Sequence, residues 1–490
     1  MLFNSLTFVV FYVVVFALYW LIRARLPQNA LLLAASWMFY GAWSWKFLLL
    51  LIASTVLDYG CGLLIERAST PRRKRAWLLL SVGGNLTFLA TFKYLGFFVT
   101  ELATLLERLG FNANMPALEI VLPVGISFYT FQTIGYVVDV YRGKVPAERN
   151  ILDYALYVAF FPQLVAGPIE RAAHMLPQFR TPRVWSTPAF ESGLQLAVWG
   201  LFKKIVIADN LAPYVDAVYA NPAAYSGAAL STATVFFAFQ IYCDFSGYTD
   251  TARGVARMLG FDLVKNFDFP YTSKTPIEFW QRWHISLSKW FQDYLYFPLA
   301  MRYMRRGGWA SKYKAHIVAM ALIGVWHGAN WTFLVFGLYW GLLIASYLAI
   351  VERSSRAEPR NFIARLGAAA PGLRDAGSIA IMFVLVCVGW VFFRAASIGD
   401  AWHVLAHAVS FAGASGLIAA EIGDTAILWA LIVSFCVAEW VYRNAPRIRE
   451  NLQGPRVAAI AGRYALFAAI MVSAGVSQID SARPFIYFQF

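Results

Sequence analysis

Two histidines stand where their surroundings make them candidates for chemistry. His327 lies in "ALIGVWHGANWTFLVFGLYWG" (residues 321–341), and from Ala315 to Ile350 the chain carries no Asp, Glu, Lys or Arg. An ionisable side chain is expensive in such a setting and is a functional-site candidate by default. Imidazole titrates near neutrality, at about 6.5 when unperturbed, and burial disfavours its charged form, so His327 is expected to be neutral and able to accept a proton as a general base. His284 lies in a more polar segment, "TSKTPIEFWQRWHISLSKWFQDYLYFPL" (272–299). The competing readings are a hydrogen-bonded core histidine, a haem held by the pair, and a transport site. Cys61, Cys243, Cys387 and Cys436 are scattered through apolar stretches without CxxC spacing. Neither a zinc site nor a disulfide framework is indicated, and no metal is expected.

The elements that must position these residues are membrane helices. Of 490 residues 60% are hydrophobic, 17% aromatic and only 14% charged, with a mean hydropathy of +0.56, which excludes a soluble globular domain. The reading is an all-α, polytopic integral membrane protein forming one domain over 1–490. A crossing needs about 20 apolar residues. Stretches of this kind occur near 6–22, 30–45, 46–65, 77–98, 118–138, 151–167, 190–208, 228–245, 315–350 (a short pair), 376–393, 425–441 and 457–477. They give eleven to thirteen membrane helices, with re-entrant or interfacial helices around a central cavity.

The net charge of +14 is explained by topology rather than by nucleic acid. Lys and Arg gather in short loops at 66–75, 302–314, 352–374 and 442–456, whereas 395–442 holds neither before Tyr442. The basic loops are expected on the cytoplasmic side, near anionic lipid, and 395–424 outside. The N-terminal apolar run has its arginines after it, at Arg23 and Arg25, and reads as a retained first span with its start facing outward.

The segment around His284 predicts a helix over 276–296, because Thr275, Pro276 and Glu278 form an N-cap, a first-turn proline and a capping-box acid. Trp283, Leu287, Trp290 and Tyr294 make an apolar stripe at helical spacing. Arg282, Ser286, Lys289 and Asp293 make a polar one beside Gln281, His284, Ser288 and Gln292. Composition alone favours a helix lying in the membrane interface over one lining a cavity. A second polar intrusion, "QIYCDFSGYTDTARGVARMLGF", places Asp250 and Arg253 three apart for pairing. Proline and glycine break the apolar runs at 122–132 and 160–171, which suits cavity walls.

Together "WQRWHISLSKWFQDYLYFPL", "GVWHGANWTFLVFGLYWG", "YCDFSGYTD", "FPQLVAGPI" and "PFIYFQF" resemble the bacterial branch of the membrane-bound O-acyltransferase family, over essentially the whole chain. Members of that branch O-acetylate alginate, cellulose or peptidoglycan, or take part in D-alanylation of teichoic acids; the overall resemblance puts alginate first. The resemblance implies that His327 is the family's membrane histidine, essential for acyl transfer. It implies that His284 occupies the second motif position, where members carry histidine or asparagine, and that Asp244 of "DFSGY" is a supporting acid.

The residues read independently fit acyl transfer. A base must take the hydroxyl proton, and His284 or Asn330 could orient the substrate or stabilise the developing oxyanion. Trp326 and Arg282 complete the expected cavity set. Gly324 and Gly328 have the small-xxx-small spacing that admits a close backbone or a slim acyl chain. A transporter would need an internal repeat, and none relates the two halves; haem ligation does not explain the polar stripes. The resemblance further implies acetyl-CoA as a cytoplasmic donor substrate, no bound cofactor, an inner-membrane location, and a separate periplasmic acetyltransferase partner. No stretch here is long and polar enough for an exported hydrolase-like domain, and no GDS-type nucleophile motif occurs. His284 and His327 are expected to face one cavity.

Overall fold

The computed structural model describes residues 1–111, 121–305, 307, 311–354, 371–410, 425–444, 483, 485 and 486. The described residues are helical and include no strand. They fall into two compact units, Met1–Gly200 with Tyr248–Lys265 and the described C-terminal residues, and a second made of Leu201–Gly247 and the described residues from Asn266 to Asn444.

The first unit contains α1 (Leu6–Leu21), α2 (Arg25–Gly41), α3 (Trp45–Arg67), α4 (Pro71–Lys93), α5 (Leu95–Arg108), α6 (Ile126–Tyr141), α7 (Ile151–Ala159), α8 (Phe161–Leu164), α9 (Ala172–Arg180) and α10 (Thr187–Leu201). α4 starts as its sequence dictates: Thr70 accepts a hydrogen bond from Arg73 N at 3.3 Å and Pro71 follows, since proline suits the first turn. Helices in lipid gain nothing from apolar burial against one another, so polar side chains hold them together. Asp58 of α3 does this, fully buried and accepting from Ser81 and from Asn85 at 2.8 and 2.9 Å, both on α4. The broken stretches at 122–132 and 160–171 pack on each other: Gly125 has φ 77°, and a Cβ there would lie 2.7 Å from the Leu164 carbonyl oxygen.

The second unit contains a π-helix (Phe202–Ala208), then α11 (Asp209–Ala220), α12 (Gly227–Met258, as far as Gly247), α13 (Pro276–Arg282), α14 (Ile285–Phe291), α15 (Phe297–Arg305), α16 (Ser311–His327), α17 (Trp331–Ser354), α18 (Pro371–Arg394), α19 (Ile398–His407) and α20 (Thr425–Asn444).

Among the described residues, five helices are long and apolar enough to cross a membrane: α3, α12, α17, α18 and α20. α4 and α5, bent by 57°, make up to six. The apolar stretches of the sequence suggest more, because several of them fold into short pieces. α1 and α6 have 16 residues each and α2 has 17, about 24–26 Å at 1.5 Å per residue, against a hydrocarbon core of about 30 Å. The stretch at 151–167 ends its helix at Ala159, and that at 190–208 runs into the π-helix with its buried Lys203 and Lys204. The stretch at 315–350 does form the expected pair, α16 and α17. The expected span at 457–477 lies outside the described residues, as do residues 411–424 of the outward loop expected at 395–424; the described part of that loop carries a short helix, α19. α12 is the core helix, with 78% of its most apolar window buried, against 17% for α20. On α1, Leu6, Val10, Val13 and Leu21 are more than half exposed, an apolar surface that suits lipid and would be rare on a soluble monomer.

Candidate active site

His327 is the last residue of α16, 5% exposed. The hairpin that carries it depends on glycine. A Cβ on Gly324 would lie 2.9 Å from Gly337 Cα, and one on Gly341 would lie 2.7 Å from Ile317 Cα, so α16 and α17 pack backbone to backbone. The Phe333 ring covers Gly328. Asn330 fixes the turn: its Oδ1 accepts from Thr332 N at 3.0 Å, starting α17, and its Nδ2 donates to the Ala396 carbonyl at 2.9 Å. Both ends of the Asn330 amide are therefore engaged in holding the turn. The imidazole of His327 sits among the rings of Trp326, Phe393 and Phe336, with centroids at 4.7, 5.0 and 5.9 Å.

At His284 the sequence expectation needs correction. The helix over 276–296 is not continuous: α13 ends at Arg282, Trp283 is extended, His284 is left-handed (φ 43°, ψ 56°), α14 follows, and 292–296 is π-helical. The N-cap half of the expected capping box forms, with Thr275 accepting from Glu278 N at 3.1 Å, while the Glu278 carboxylate accepts from Lys274 N at 2.7 Å, one residue before the cap. The break comes from elsewhere in the chain. Asp268 N donates to the Arg282 carbonyl at 3.0 Å, Ile285 N donates to the Asn266 carbonyl at 2.9 Å, and Ser286 N donates to Asn266 Oδ1 at 3.1 Å. Asn266 thus satisfies the first free N–H groups of α14, those of Ile285 and Ser286, from nineteen and twenty residues away in sequence. Non-glycine residues rarely adopt positive φ, and such strain clusters at functional sites. Among the described residues only Phe269 and His284 do so.

His284 is fully buried, with Phe245 edge-on at 4.6 Å. Burial pushes its imidazole down to about 3, so the ring is neutral. An interfacial helix is excluded at this residue. The polar stripes separate: His284 and Ser286 are buried, whereas Gln281, Lys289 and Gln292 are exposed. Of the apolar stripe, Trp283, Leu287 and Trp290 are buried and Tyr294 is half-buried.

One aromatic cluster joins the two histidine segments. Trp283, preceding His284, lies 4.8 Å from Trp390, and Trp390 lies 5.5 and 5.8 Å from Phe393 and Phe336, the rings against His327. Phe291 of α14 reaches Trp326 at 6.4 Å. Asp244, buried on α12, pairs with Lys204 at 2.7 Å, and Lys204 also reaches Asp209 at 2.8 Å. Arg282 is held by Glu278 at 2.6 Å and Thr272 at 2.8 Å. Asp250 and Arg253 do pair, at 3.3 Å. Phe485 of the "PFIYFQF" motif packs 5.0 Å from Tyr248 of "DFSGY" in the first unit. Among the described residues no group of three or more His, Cys, Asp or Glu is placed to hold a metal.

Sequence reasoning missed Asn266, Lys204 and the Phe336–Trp390–Phe393 cluster. A buried-looking lysine pair at 203–204 inside an apolar stretch was the available signal for Lys204; nothing local marks Asn266.

The sequence model of the membrane-bound O-acyltransferase family (MBOAT) matches residues 145–389, the stretch that carries both histidines. The chain belongs to the membrane-bound O-acyltransferase family. This MBOAT protein is 36% identical over 521 aligned residues to "Probable alginate O-acetylase AlgI" of Azotobacter vinelandii, covering 100% of both chains. It is 40% identical over 414 residues to the protein of the same name in Pseudomonas aeruginosa, covering 84% of this chain and 75% of that one. It is 33% identical over 446 residues to a peptidoglycan O-acetyltransferase of Helicobacter pylori, covering 85% of this chain and 81% of that one. Family membership makes it an O-acyltransferase, and its apolar helices make it a multi-pass membrane protein.

Proposed function

We propose that this protein is an inner-membrane O-acetyltransferase that takes acetyl from cytoplasmic acetyl-CoA and passes it across the membrane for O-acetylation of an exported polysaccharide, alginate, through a separate periplasmic acetyltransferase. The alginate reading is supported by the names of the relatives from Azotobacter and Pseudomonas. In the proposed topology the shorter helices complete eleven to thirteen membrane elements of one domain.

The observation that carries the catalytic reading is the placement of His327: one buried imidazole at a helix end, on a glycine-packed turn, within a shell of aromatic rings. His327 takes the proton of the attacking hydroxyl while that oxygen adds to the thioester carbonyl. The carbon–sulfur bond then breaks and the proton passes to the departing thiolate. A neutral His284 positions the acceptor or donates to the developing oxyanion. Asp244 with Lys204, Asn330, Trp326 and Arg282 support the frame.

The test is a pair of variants. His327→Ala and His327→Gln should both abolish polymer acetylation at normal abundance in the membrane fraction, because an amide keeps a hydrogen bond but cannot accept a proton near neutral pH. Near-normal acetylation by the glutamine variant would end the proton-transfer role. Peptidoglycan is the second reading, supported by the Helicobacter relative. Acetyl content of alginate and of muramic acid in a deletion strain separates the two.

A further inference from the structure

Two of the six histidines of the chain lie four residues apart on α19, away from both histidines assigned to acyl transfer. We propose that His403 and His407 form a divalent transition-metal site, binding Cu2+ most tightly and Zn2+ or Ni2+ less so. Residues at i and i+4 of a helix stand on one face with Cβ atoms about 5–6 Å apart, a separation that lets two imidazoles close on a metal with nitrogen–metal distances of about 2.0–2.1 Å. The two rings already stack, with centroids 4.2 Å apart and planes 25° from parallel.

A second observation points to the same use. His407 Nδ1 lies 2.9 Å from the His403 carbonyl oxygen. A carbonyl can only accept, so Nδ1 carries the proton and the Nε2 lone pair is left for a ligand. Histidines that bind metals commonly donate their other ring N–H to a backbone carbonyl in this way, which fixes the tautomer and ring orientation. His407 is exposed and His403 half-buried, so a metal reaches them from solvent.

The helix is anchored at both ends, which keeps the chelate in place. Ser397 accepts from Asp400 N at 3.0 Å as its N-cap. Ala396 O receives the Asn330 amide at 2.9 Å, and Ser231 of α12 donates to the Ala408 carbonyl. Asp400 lies on the same helical face, but its Oδ2 accepts from Ser397 Oγ at 2.7 Å. The protein therefore supplies two nitrogens, and water fills the remaining positions. Imidazole donors suit Cu, Zn and Ni, and the order among them follows the general affinity series for divalent first-row metals.

The experiment uses full-length protein in detergent, without a polyhistidine tag and stripped of metal, titrated with Cu2+ and followed by electron paramagnetic resonance. The expected result is one equivalent bound with a two-nitrogen hyperfine pattern and displaced by excess Zn2+. His403→Ala and His407→Ala should each weaken binding roughly tenfold or more, since losing a ligand costs at least as much as losing its outer partner. His174→Ala should leave it unchanged. Leu405→His combined with His407→Ala keeps two histidines on the helix but at a spacing that does not share a face, and it should bind as weakly as the single variants. No equimolar binding by the native protein, or undiminished binding by His403→Ala with His407→Ala, would overturn the site; so would tight binding by the respaced variant.

Discussion

Asn266 governs the geometry at His284 more directly than any neighbour in sequence. Its carbonyl and Oδ1 take the N–H groups of Ile285 and Ser286, and it is 1% exposed. Asn266→Ala leaves the buried Ser286 N–H without its acceptor, a cost of about 1–3 kcal/mol. A lowered melting temperature of the extracted protein, with acetylation falling further than abundance, is the expected outcome; unchanged melting would refute the cap. His284 itself makes a pH prediction. Its folded pKa, about 3, lies below the unfolded value of about 6.5, so the unfolded chain binds the extra proton and stability falls as the pH drops from about 6.5 towards 3. Thermal melts across that window should show this acid loss in the native protein and a reduced loss in His284→Asn. Both histidines stood out in conspicuous settings, but only His327 was legible as buried, since composition around His284 favoured an interfacial helix and the structure buries that ring completely. The break beside His284 was not legible, because helical spacing and a sound N-cap describe α13 correctly and say nothing of a partner eighteen residues upstream.

At the scale of elements, the α16–α17 hairpin was readable from an uncharged run interrupted by "HGAN", and its closeness from Gly324. Gly324→Ala or Gly337→Ala places a methyl against the facing backbone, and overpacking of this kind typically costs about 1–3 kcal/mol. Membrane abundance and acetylation should fall together in these variants; a variant of normal abundance and activity would contradict the close packing. α9 carries a pH-dependent contact of the opposite sign. Glu170 holds His174 at 2.8 Å, with its other oxygen taking Val264 N. The hydrogen bond that His174 donates to the Glu170 carboxylate raises the His174 pKa, so this stabilisation is complete below about 6.5 and is lost as the pH rises past the raised value. With His174 partly exposed the effect is small. His174→Gln should flatten the alkaline decline in melting temperature.

For the whole molecule, composition and apolar runs identified a polytopic helical membrane protein, and the basic loops give its expected orientation. The number of crossings was less legible, since hydropathy counts apolar residues and does not see where a run such as 151–167 is broken by local backbone; at 190–208 the break falls at the lysine pair 203–204, which the sequence does show. Orientation can be tested on exposed residues in a background lacking the native cysteines. Val409→Cys, at a position 80% exposed, should react with an impermeant maleimide in intact spheroplasts, and Ser69→Cys only after permeabilisation. The reverse pattern would invert the topology.

The left-handed backbone at His284 also filters inheritance. Glycine takes that conformation freely, and asparagine, aspartate and histidine take it far more readily than other side chains. Histidine or asparagine, the pair that the family resemblance implies at this motif position, are thus two of the few letters the fold permits before any chemistry is selected. Drift there is confined to a narrow alphabet, and a saturation library scored only for protein abundance should recover Gly and Asn beside His while depleting the β-branched residues, with Asp depleted too because the site is fully buried.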